Sequence, residues 1–202
     1  MLKRLLVGLP AAALIVACAF LPAQLMPKTS PTAPPTDLPL LEPDSNKLRQ
    51  AMDSGEASAL IDLSHEGYQG EMYKPGVQKY TVDIQAAQKV DLSIGWCAKT
   101  KAIMEDNKAH FDGSIAINDH VIGLDGLVSN TWDMPAGQNP DAPEGLKCFS
   151  YDILASQWPP GKYHITETYS FDAPVNDGYG KYAAGTYILD YEVTVTAGGL
   201  SS

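Results

Sequence analysis

Asp172, Asn176 and Asp177 stand in one short loop that closes on Gly178. Clustered carboxylate and amide oxygens are the donors a calcium ion takes. The spacing is not that of a DxDxDG loop, and Asn-Asp-Gly is equally the sequence of a tight turn whose side chains cap the backbone or tolerate positive φ. Both readings stay open. A second candidate is a sugar-stacking platform made from Trp132 and Trp158 with Tyr179, Tyr182 and Tyr187, although Tyr187 also fits a core position. His65, His110, His120 and His164 are scattered and read as surface histidines. His65-Glu66 starts like a zinc-protease helix, but Gln69 stands where the second histidine is required. No GxSxG elbow, P-loop or GxGxxG turn occurs, and no spacing selects two carboxylates as a glycosidase pair. No catalytic residue, cofactor or metal ligand is therefore assigned beyond the calcium option.

The cysteines carry the remaining chemistry. Lys3 and Arg4 precede an uncharged, mostly aliphatic run from Leu5 to Ala17, the length of a signal-peptide core. Ile15-Val16-Ala17-Cys18 resembles the bacterial lipobox, in which small residues precede a cysteine that receives diacylglycerol. On this reading residues 1–17 are a signal peptide and Cys18 is the lipid-attachment site, so the chain meets the membrane through its N-terminus. Two alternatives remain, because apolar character continues to Ala23. The run is close to the ~20 residues that span a bilayer, so an uncleaved anchor or plain secretion also fits. All three export the folded part to an extracytoplasmic, oxidising compartment. There the two remaining cysteines, Cys97 and Cys148, form an even pair suited to a disulfide; two separate buried thiols are the alternative.

The 202 residues carry 14 Lys+Arg against 24 Asp+Glu, a formal charge of −10, with 45% hydrophobic residues. That composition suits a folded domain, and its acidity argues against a nucleic-acid partner. Loss of residues 1–17 with Lys3 and Arg4 takes the charge to −12. Such a chain is repelled by anionic lipid, which leaves attachment to the N-terminus.

These residues need positioning elements. Pro22, Pro27, Pro31, Pro34, Pro35, Pro39 and Pro43 make residues 18–43 an extended Pro/Thr-rich linker. A short helix over about 46–53, capped by Asp44 or Ser45 and ended at Gly55, opens a domain spanning 44–202. A period of two then dominates. Tyr80, Val82 and Ile84 share one parity, as do Val90, Leu92, Ile94 and Trp96, and Phe149, Tyr151 and Ile153. Ile115 and Ile117 run into an Asn118-Asp119 hairpin turn. Tyr163, Ile165, Tyr169 and Phe171 form another set with Glu167 as its misfit, and Tyr187 to Val195 is the clearest run. This pattern predicts an all-β, antiparallel β-sandwich. Cys97 and Cys148 both oppose the parity of the aromatic residues beside them, which places their bridge on an outer face.

Gly95-Trp96-Cys97, Cys148, Trp158-Pro-Pro-Gly-Lys-Tyr163, Phe171-Asp-Ala-Pro-Val-Asn-Asp-Gly178 and Gly185-Thr-Tyr187 resemble motifs of a group of exported bacterial lipoproteins with no assigned activity. The resemblance covers about 75–202 with the N-terminal signal, and implies an Ig-like sandwich and export but no substrate. The resulting expectation is a monomeric, membrane-tethered, non-enzymatic binding or surface module for an unidentified protein or glycan. Two alternatives accompany it. One is an exported hydrolase whose carboxylates meet only in the fold. The other is an inhibitor or adaptor that presents the 125–145 loop to another envelope protein.

Overall fold

The computed structural model describes residues 37–65, 74–139 and 142–198. The signal peptide assigned to 1–17, Cys18 and the linker as far as residue 36 lie outside the described residues. Among the described residues twelve strands and two α-helices follow one another as β1 (Leu40–Glu42), α1 (Ser45–Asp53), β2 (Ala57–Ala59), β3 (Gly76–Gln85), β4 (Lys89–Ala98), α2 (Lys101–Ala109), β5 (Phe111–Ile117), β6 (His120–Gly123), β7 (Val128–Met134), β8 (Leu146–Ser156), β9 (Gly161–Phe171), β10 (Val175–Asn176), β11 (Lys181–Tyr182) and β12 (Gly185–Thr196). Sheet I has β8 at its centre, with β4 and then β2 on one side and with β7 and β1 sharing the other. Sheet II runs β3-β12-β9-β5-β6, and β10 and β11 form a separate hairpin. Among the described residues no helix is long and apolar enough to cross a membrane.

The fold is mostly β, as the alternation requires, and both sheets contribute to one apolar core. The expected inward sets are buried: Tyr80, Val82 and Ile84 on β3, Val90, Leu92, Ile94 and Trp96 on β4, and Tyr187 to Val195 on β12. Aromatic residues knit the interior, with Tyr80 stacked on Tyr191 at 5.2 Å and Tyr169 on Tyr187 at 5.0 Å. Asn118 takes φ 53 in the two-residue β5–β6 turn. It also donates its N–H to the His164 carbonyl and accepts the His164 N–H on Oδ1, tying the turn to β9.

The sheets are mixed, which corrects the expectation of purely antiparallel pairing. β3 runs parallel to β12 over ten residues, and β2 parallel to the start of β4. Alternation fixes which face a side chain takes, but neither the neighbour nor the direction of a strand. β1 is a further difference: Leu40–Glu42, inside the segment read as linker, pairs with Leu154–Ser156 of β8. The 125–145 segment is likewise only partly a loop, because it contains β7, which pairs with Leu146–Asp152.

α1 forms as the sequence predicts. Asp44 Oδ1 accepts the N–H groups of Asn46 and Lys47 at 2.9 and 3.2 Å, and Gly55 leaves the helix at φ 72. Its Leu48 and Ala51 pack on Ala57 and Leu154, on the outer face of sheet I. α2, which alternation did not foretell, is capped by Thr100 Oγ1 on the Ile103 N–H. It buries Met104 and Asn107, and the Asn107 Nδ2 donates to the Asn176 carbonyl at 2.6 Å. That bond fastens β10 to the helix.

Candidate functional site

The loop named as a possible calcium site makes its hydrogen bonds largely within itself. Asp177 Oδ1 accepts the N–H groups of Tyr179 and Gly180, both at 2.7 Å, and its Oδ2 accepts the Tyr182 hydroxyl at 2.6 Å. Gly178 sits at φ 92, so the side-chain turn accounts for this Asn-Asp-Gly sequence. Asp172 points elsewhere, to His110 Nδ1 at 2.7 Å. What Asn176 contributes is its carbonyl, to Asn107. Among the described residues no three His, Cys, Asp or Glu side chains gather around a possible metal position.

The turn serves instead as one wall of a cleft of about 570 Å³. The floor is the middle of β4 with Ser150 and Phe149 of β8 beside it, and Leu60, Leu189 and Tyr182 stand around it. Trp132 and Tyr179, from the aromatic platform expected from sequence, line this cleft and are 44% and 43% exposed. Trp158 and Tyr187 do not join them, since both are buried in the core. Lys99 Nζ lies 5.2 Å from the Tyr179 ring and pairs with Glu144 at 2.8 Å.

Cys97 and Cys148 are disulfide-bonded and directly opposed in the β4–β8 register. Their Cα atoms are 4.0 Å apart, the close spacing of a pair that does not share ladder hydrogen bonds. As their parity demanded, they face away from Trp96 and Phe149. Met134, Ala142 and Leu146 roof Cys148 there.

Gly95 precedes the bridge by two residues, and there the two strands approach closely. A Cβ on it would lie 2.3 Å from the Phe149 carbonyl oxygen and 2.9 Å from the Ser150 Cα. Only a glycine lets β4 and β8 come this close.

Three acids give the region its electrostatics. Glu167, the misfit of β9, is 3% exposed at the cleft's inner end. Its Oε1 accepts the Ser93 N–H and its Oε2 the Tyr191 hydroxyl, both at 3.1 Å. Burial pushes this carboxyl up to about 8, against the pull of those two donors. Asp91 is also pushed up to about 8, first by burial and then by the charges of Asp152 and Glu167. Asp152 is raised by burial, opposed by its bonds from Asn130 Nδ2 and Ser150 Oγ. Asp91 and Asp152 occupy the outward parity of β4 and β8, the face that α1 partly covers, and neither lines the cleft. Sequence parity marks them as solvent-facing; α1 packs over part of that face, and Asn130 of the neighbouring strand β7 bonds to Asp152. Three histidines pair at the surface, His65 with Asp83, His110 with Asp172 and His164 with Asp190.

No family model matches the chain, and no curated protein matches it. Solved structures offer weak similarities. The chain is 14% identical, at a TM-score of 0.30, to one in the structure of PbICP-C in complex with falcipain-2, covering 70% of this chain and 100% of that one. It is 12% identical, at 0.26, to the cysteine protease inhibitor EhICP2 from Entamoeba histolytica, covering 61% and 96%. It is 12% identical, at 0.22, to amebosin, covering 58% and 96%. Likeness this slight leaves fold and function to be argued from the chain's own residues.

Proposed function

We propose that this chain is an exported, N-terminally tethered Ig-like sandwich that acts as a non-enzymatic binding module, with the β4 cleft as its contact face. The observation that carries the reading is the cleft itself: about 570 Å³, walled by apolar side chains and holding two half-exposed aromatic residues, Trp132 and Tyr179. Ligand sites combine this kind of apolar concavity with a few fixed polar groups. The acids that reach the cleft support binding over hydrolysis, because Glu167 and Asp177 are both engaged by protein donors. Export is supported by the Cys97–Cys148 bond, which suits an oxidising compartment.

The test uses the full chain in detergent micelles against a glycan array and a library of linear peptides. A ligand retained by the native protein and lost by the Trp132→Ala, Tyr179→Ala double variant, with the melting temperature unchanged, supports the reading. Ligands indifferent to both changes would move the contact face elsewhere. For the tether, Cys18→Ser should abolish lipid labelling and release the domain to the soluble fraction. Persistent membrane association of that variant would point to an uncleaved N-terminal helix.

A further inference from the structure

We infer that the cleft takes an extended polypeptide segment of a partner protein, which completes sheet I by pairing with β4 between Ser93 and Cys97; this rests on the binding reading above. Within a strand the N–H and C=O of one residue point to the same side, and the side alternates along the chain. Three bonds, two within β4 and one just past its end, show which side its odd-numbered residues take. The Asp91 carbonyl accepts the Leu60 N–H, the Ser93 N–H goes to Glu167, and the Lys99 N–H goes to the Asp177 carbonyl. All three point away from β8. The close spacing at Cys97–Cys148 agrees, since it marks the pair whose polar groups face outward.

It follows that the carbonyl of Ser93, and both backbone groups of Gly95 and Cys97, point to the open side of β4. β2 covers this edge only as far as Asp91, and the chain then turns away at Ile61–Leu63. Among the described residues none bonds to the Gly95 or Cys97 edge groups. These residues are half-buried and line the cleft, so their edge groups face a partly sheltered space that a ligand can enter.

Only another backbone presents donors and acceptors at that repeat. Edges that must stay unpaired are usually guarded by a charged side chain, a proline or a bulge. Ser93-Ile94-Gly95-Trp96-Cys97 has none of these, and Gly95 lacks even a Cβ. The exposed stretch spans roughly 13 Å, room for about five residues of an added strand. Alternate side chains of that strand would face Leu60 and Leu189 on one side and Tyr179 on the other. The segment is therefore apolar at every second position. A formal charge of −10 on this chain favours one that is neutral or cationic.

Linear peptides selected on the full-length protein in micelles provide the probe, with amide hydrogen exchange and an N-methyl scan of the best binder as readouts. Saturation with the peptide should slow exchange at the Gly95 and Cys97 amides by at least roughly tenfold. N-methylation at alternate peptide positions should weaken binding by about tenfold, with little effect in between. A peptide that binds with a flat scan and no protection at those amides overturns strand addition and leaves the binding reading intact. Retention of glycans alone, lost in the Trp132→Ala, Tyr179→Ala variant, does the same. Absence of any ligand from either library overturns both.

Discussion

Glu167 of β9 accepts the backbone N–H of Ser93 of β4 at 3.1 Å, so a side chain of one sheet occupies the open edge of the other. The same carboxyl takes the Tyr191 hydroxyl, which makes it a clasp between the sheets at the inner end of the cleft. Its burial raises its pKa to about 8, and Asp91 stands equally high.

That elevation sets the direction of the pH response. The unfolded carboxyls ionise near 4, while the folded ones hold their protons to about 8. Their contribution to stability is fully present below about pH 4 and is lost progressively as pH rises to about 8. Thermal melts from pH 4 to 8 should show a falling midpoint. Glu167→Gln should flatten the slope and raise the midpoint at pH 8 relative to the native protein. A midpoint that climbs with pH in both proteins would contradict the assignment.

Removing the bridge should weaken the fold without dismantling it. Cys97 and Cys148 are 51 residues apart in sequence, and in the chain-entropy model closing such a loop is worth roughly 4 kcal/mol. Denaturant titration of the Cys97→Ala, Cys148→Ala double variant should show a loss of that order, with native far-ultraviolet dichroism. Digest mass spectrometry of the unreduced native protein should find the two cysteines in one linked species.

Gly95→Ala should cost about 1–3 kcal/mol or more, as overpacking does. The added methyl group meets the Phe149 carbonyl oxygen at 2.3 Å, where only a shift of β4 against β8 could relieve it. Equilibrium unfolding measures this directly. A variant as stable as the native protein would show that the strands are farther apart than described.

Asn107→Ala should detach the hairpin from the helix behind it. The Asn107 side chain is fully buried and holds the Asn176 carbonyl. Its loss leaves that acceptor unpaired at a cost of about 1–3 kcal/mol. Limited proteolysis should then cut within residues 172–184 faster than in the native chain, with β12 and β9 unaffected.

The inner faces were legible because each strand alternates cleanly, from Tyr80 to Ile84 and from Tyr187 to Val195. The outward parity of the two cysteines was legible for the same reason, and Glu167 stood out as a carboxyl among aromatic residues. Strand partners were not, since nothing in the alternation of β3 tells it to run parallel to β12. α2 escaped notice because one of its two buried residues is the polar Asn107, which blurs the apolar stripe. The cleft was half visible. Trp132, Tyr179 and Tyr182 were named from sequence, but an unpaired strand edge is a fact of topology and leaves no residue-type signature.

β1 joins sheet I along the flank of β8 opposite to β4. A pulling force arriving from the N-terminal side is therefore resisted first by three residue pairs, Leu40 to Glu42 against Ser156 to Leu154. This short zipper would give way as a mechanical fuse, letting the chain lengthen as far as α1 while β4 and β8 stayed paired.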